Sequence, residues 1–137
     1  LEANPLLKNI TLFNTGKPEE STKEMVELVA DTYKHNKLPV TEIINELDLL
    51  TEKMHKSLKD KSSNDFAGIL NRAGVLLEKL GVVSPHVIEI SNKLRNKGAS
   101  VKISGAGGAK KGSGILMVYP KGLDIKEIIS EYKLEQI

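Results

Sequence analysis

Apolar positions recur along this chain with two periods, and the changes from one to the other mark its elements. Residues 8–14 alternate, with Ile10 and Leu12 on one face and Thr11 and Phe13 on the other, which predicts a strand that Gly16 and Pro18 end. Ser21 and Glu24 stand three apart before a run of helical spacing through Met25, Leu28, Val29, Thr32 and Tyr33. That is a capping box, in which hydroxyl and carboxylate satisfy the opening amides of a helix. Leu38-Pro39 is expected to close this helix and Thr41 to cap a second, with Ile43, Leu47, Leu50, Met54 and Leu58 as its buried stripe. The polar stretch 59–64 reads as a turn. A third helix carries Phe66, Ile69, Leu70, Ala73, Leu77 and Leu80 inward and stops at Gly81. Ser84 caps a fourth, with Pro85 at its first position where a missing N–H costs nothing, and Val87, Ile90 and Leu94 face the core until Gly98.

Strands are predicted at 99–104 and 115–119, on either side of a glycine-rich loop. Pro120 to Gly122 then turn the chain into a short helix bearing Ile125, Ile128, Ile129 and Tyr132, and 134–137 reads as a last strand. Strands near both ends with helices grouped between them argue for an α+β fold, an antiparallel sheet covered on one face by helices. No repeat or low-complexity tract divides residues 1–137, which are read as one domain.

Composition narrows the function classes. The 20 Lys and Arg are nearly matched by 18 Asp and Glu, for a net charge of +2, so there is no concentrated basic face for a nucleic-acid partner. The cluster Lys53, Lys56, Lys59 and Lys61 reads as a solvated face. The absence of cysteine excludes a disulfide framework and thiolate metal sites. His35, His55 and His86 are scattered and lack the spacing of a helical zinc site, so no metal ligand is assigned. Without a signal peptide or a membrane-spanning run, the expectation is a cytoplasmic protein with no membrane partner. The start at Leu1-Glu2-Ala3, with no initiator methionine, suits an excised domain or proteolytic fragment. Glu19 and Glu20 are read as charges placed for a helix dipole.

The candidate chemistry lies in the loop. Five of the eleven glycines fall within residues 105–114, and Lys110 and Lys111 stand at the tip. Glycine loses more conformational entropy on folding than any other residue, so crowding it means a sharp bend or a close approach. Successive backbone N–H groups in such a loop form an anion-binding concavity, to which the two lysines would add positive charge. The Walker pattern fails here. Counting from Gly105 puts Lys110 where its second glycine belongs, and counting from Gly107 reaches Gly112 but then Ser113 instead of lysine. The dinucleotide pattern fails at its sixth place, which is Lys110, and the loop leads into a strand rather than a helix. By composition alone, a mobile hairpin loop and an anion site remain equal readings.

The segment Lys102-Ile103-Ser104-Gly105-Ala106-Gly107-Gly108 resembles the first half of the third motif of the GHMP kinases: lysine, Ser or Thr, then Gly-Ala-Gly-Gly between two strands of their C-terminal domain. Residues 14–24 resemble the strand-to-helix turn that opens this domain in mevalonate kinases. Leu80-Gly81-Val82-Val83-Ser84-Pro85 is similar to their L-G-V-S-x-P segment. The departure is residues 109–114, longer and more charged than the family pattern.

The resemblance implies a ferredoxin-like domain with added helices. It implies the C-terminal half of an enzyme that transfers the γ-phosphate of ATP, with Mg2+, to the hydroxyl of a small-molecule substrate in isoprenoid biosynthesis. Ser104, Gly105, Ala106, Gly107 and Gly108 would lie at the phosphates, with Lys110 and Lys111 as further contacts. Thr15, Ser21, Thr22 and Asn71 would lie on the acceptor side. No segment resembles the family's P-G-L-G-S-S-like motif or its catalytic aspartate and lysine. No catalytic residue is therefore expected in this chain, which would need an N-terminal kinase domain as partner and be inactive alone. Mevalonate kinase is the first expectation, and phosphomevalonate kinase or diphosphomevalonate decarboxylase the alternatives within the family. From another class, a free-standing anion-binding regulatory module stays open; a purely structural dimerisation domain would leave the loop unexplained.

Overall fold

Phe13, Val101, Ile103, Leu116 and Val118 occupy alternate positions of three extended segments, and all five side chains are buried in one cluster. The period of two therefore turns one face of a sheet inward. The computed structural model describes residues 4–137; Leu1 to Ala3 lie outside the described residues. In chain order the elements are α1 (Pro5–Lys8), β1 (Thr11–Asn14), α2 (Thr22–His35), α3 (Lys37–Asp60), α4 (Ser63–Leu80), α5 (Pro85–Asn96), β2 (Ser100–Ser104), β3 (Ile115–Tyr119), α6 (Lys126–Glu131) and β4 (Glu135–Gln136). The sheet order is β2-β3-β1-β4, and every neighbouring pair is antiparallel. One block of helices separates β1 from the β2–β3 pair, and α6 separates that pair from β4. This is the βαββαβ order of a ferredoxin-like sheet, with α2 to α5 in place of its first helix. The fold is α+β, as the grouping of elements implied.

The main core lies between that sheet face and Met25 of α2, Val40 of α3, Val87, Ile90 and Leu94 of α5 and Ile128 of α6. A smaller cluster joins Leu6 of α1, Phe66, Ala67 and Leu70 of α4, and Tyr119. Phe66 meets Tyr119 edge to face, with ring centroids 5.1 Å apart, and burying such a ring contributes about 1.5–3 kcal/mol.

The helix α4 also runs along the outer edge of β2. Gly74 permits this approach, since a Cβ there would sit 2.0 Å from the Val101 carbonyl oxygen. The edge is then satisfied by side chains: Val101 N–H donates to Asn71 Oδ1 at 3.2 Å, and Arg95 Nη2 donates to the Val101 carbonyl at 3.0 Å. Arg95 Nε donates to Asn71 Oδ1 at 2.8 Å, and its Nη1 lies 2.7 Å from Glu78 Oε2. At Val101 a strand edge that would otherwise offer a free N–H and C=O is satisfied by one polar network.

Local chemistry explains where the expected boundaries moved. Asn4 caps the one-turn helix α1, which has Pro5 in its first turn, so β1 begins at Thr11 rather than Lys8. Pro39 lies within the first turn of α3, where it needs no donor, and does not end α2; that helix stops at His35. Thr41 is likewise no cap, and its hydroxyl donates to Lys37 O at 2.7 Å. The turn expected over 59–64 shrinks to Lys61 and Ser62, with Lys61 left-handed at φ 55° and Ser62 capping α4. The Ser21–Glu24 capping box is present, and Gly81 and Ser84 end α4 and start α5. Among the described residues no helix is long and apolar enough to cross a membrane.

Candidate functional site

β2 delivers Ser104 to the surface, and the loop that follows falls into two parts. Ser104, Gly105 and Ala106 are exposed, whereas Gly107 and Gly108 are buried. Gly105 turns the chain at φ +91° with open space beside it. The amides of Gly105, Ala106 and Gly107 donate to no other group among the described residues. Two exposed free N–H groups, with a third on the buried Gly107, beside a serine hydroxyl give a donor set for an anion.

The second part is packed. Gly108 N–H donates to Val82 O at 2.9 Å, and a Cβ on Gly107 would lie 2.1 Å from that same oxygen. Gly112 sits against Gly16, whose carbonyl oxygen a Cβ would meet at 2.2 Å. Gly114 N–H donates to Gly16 O at 3.1 Å, while Thr15 N–H and Oγ1–H both donate to Gly114 O, at 2.9 and 2.7 Å. Ser113 is fully buried. Its hydroxyl donates to Gly108 O at 2.9 Å and accepts from Ser84 N–H at 2.9 Å. These glycines therefore do packing work that an anion-loop reading of the sequence did not separate out.

The loop also holds a carboxylate of its own chain. Ala109 N–H donates to Glu20 Oε2 at 2.8 Å, and Glu20 Oε1 is buried without a partner. Glu20 thus faces the loop rather than the first turn of α2, and Glu19 pairs with Lys111 at 3.1 Å. Lys111 is 79% exposed, which leaves this pair screened and weak.

The other sequence-selected residues are placed as follows. Thr15 has its hydroxyl committed to Gly114 O and Ser113 N–H. The Ser21 hydroxyl accepts from Glu24 N–H at 3.1 Å in the capping box. Thr22 is exposed at the start of α2, and Lys110 is exposed at the loop tip. Asn71 is half-buried at the edge of β2, where its Oδ1 accepts from Val101 N–H and Arg95 Nε. Sequence reading missed Ser113 and Arg95 and gave Ser84 only as a helix cap. Ser113 meets Ser84 from 29 residues away and Arg95 meets Asn71 from 24, so no local pattern marks these contacts. Among the described residues no three His, Asp or Glu side chains converge as metal ligands.

Three segments distant in sequence, 14–20, 82–84 and 104–114, thus meet at one corner of the sheet. Solved structures contain the same arrangement of elements. The chain matches the mevalonate kinase of Methanococcus jannaschii over 100% of its own length and 42% of that chain, with TM-score 0.71 and 22% identity. The fold is one that mevalonate kinases share. The Lin0012 protein from Listeria innocua matches with TM-score 0.77 and 14% identity, over 93% of this chain and 38% of that one. Streptococcus pneumoniae phosphomevalonate kinase, solved in complex with phosphomevalonate and AMPPNP, matches with TM-score 0.63 and 18% identity, over 93% and 37%. The chain spans about two fifths of the length of these structures. No protein-family model and no curated protein matches the sequence.

Proposed function

We propose that this chain is the C-terminal domain of an ATP-dependent GHMP small-molecule kinase, and that the acceptor is mevalonate. The observation that carries the reading is the run of free amides at Gly105, Ala106 and Gly107 beside the exposed Ser104, in a fold that over this chain's whole length matches 42% of a mevalonate kinase. In this role Ser104 and the three amides donate to phosphate oxygens of ATP. Gly108, Ala109 and Ser113 hold the loop in shape. Such positioned donors act where charge develops as the acceptor hydroxyl attacks the γ-phosphorus and ADP leaves. When bound, magnesium neutralises phosphate charge. The described residues offer no cluster of carboxylates to hold it, so in this reading its protein ligands and the catalytic base belong to an N-terminal domain.

The test is ADP formation with mevalonate. A two-domain protein containing this chain should turn over, and the 137-residue chain alone should not. Turnover with phosphomevalonate but not mevalonate would move the assignment to phosphomevalonate kinase, which the fold also matches. CO2 release from diphosphomevalonate would move it to the decarboxylase. Anion binding with no turnover in any two-domain form would favour a regulatory module.

A further inference from the structure

Lys102 takes no part in the loop contacts. It stands next to Met117 in the β2–β3 register, on the strand face opposite Val101 and Ile103. There it lines a half-open cavity of about 290 Å³ whose other walls are almost all carbon, among them Ile10, Leu50, Met54, Phe66 and Leu70. Leu7, 47% exposed, stands at the cavity wall. The Lys102 ammonium donates to the neighbouring Ile103 carbonyl at 2.9 Å, and no carboxylate pairs with it among the described residues. Burial pushes its pKa below the ordinary lysine value. An ammonium held at an apolar wall without a counter-ion is unfavourable, and an anion entering the cavity would relieve that cost. The cavity volume is at the lower end for small-molecule sites, which limits the ligand to a short chain.

We propose that this cavity binds a short amphipathic anion, an alkyl chain lying among α1, α3 and α4 with a carboxylate or phosphate head on Lys102. The site is separate from the nucleotide reading and stands or falls without it. The 137-residue chain should be titrated calorimetrically with octanoate, octyl phosphate and octanol, in wild type, Lys102→Met and Ala73→Leu. At least one anion should bind about tenfold or more tighter than octanol, as a charged hydrogen bond requires. Lys102→Met should erase that preference while octanol binding persists, and Ala73→Leu, which puts carbon into the cavity, should weaken all three. If Ala73→Leu unfolds, as circular dichroism would show, the Lys102→Met comparison decides alone. Equal affinity for octanol and the anions, a preference that survives Lys102→Met, or no saturable binding by either anion would overturn the proposal.

Discussion

Ala106 and Gly107 are adjacent yet have opposite tolerances. Gly107 has φ +79° and no room for a Cβ against Val82 O, so Gly107→Val should destabilise the fold by about 2 kcal/mol or more. Its melting temperature should fall clearly, and any loss of activity in that variant will include lost structure. Ala106 is exposed, and its amide is one of the three free donors. Ala106→Glu should therefore leave the melting temperature unchanged while weakening ATP binding about tenfold, through like-charge repulsion at the phosphates. Lys102 supplies a pH test. Its folded pKa lies below 10.5, so between that folded value and 10.5 the unfolded chain binds more protons than the folded one. Stability should rise with pH through this window, and the rise should be smaller in Lys102→Met when both are unfolded by urea.

At the scale of elements, the polar network on the β2 edge is the most specific feature. Asn71→Ala leaves Val101 N–H without a partner and should cost about 1–3 kcal/mol in urea unfolding, with the glycine loop unaffected. The one-turn helix α1 was too short to show a period. Helices α2 to α6 were legible in the sequence because their apolar positions repeat within one turn, and the Ser21 and Ser84 caps because each needs only neighbouring residues. Pro39 was not. A proline in the first turn of a helix and a proline that ends one look the same locally, and here α2 stops at His35, which leaves Pro39 in the first turn of α3. Asn71 gave no local signal, since its partners Arg95 and Val101 are 24 and 30 residues away. The excess of glycine in 105–114 was visible. Its division into a turning Gly105 and packing Gly107, Gly108 and Gly112 was not, because Val82, Pro18 and Gly16 create that distinction.

At the scale of the molecule, the βαββαβ sheet brings its β2–β3 loop, the α4–α5 connection and the β1–α2 turn to one corner. The fold thus assembles from separate segments the three stretches that resemble GHMP kinases. The central claim is that this corner offers ATP a specific set of amides, and the most direct measurement is an amide-resolved NMR titration of the chain with AMPPNP. The account predicts saturable shifts that are largest at Gly105, Ala106 and Gly107, with the bonded amides of Gly108 and Ala109 moving little. Shifts confined to Lys110 and Lys111, or no saturable change at millimolar nucleotide, would contradict it.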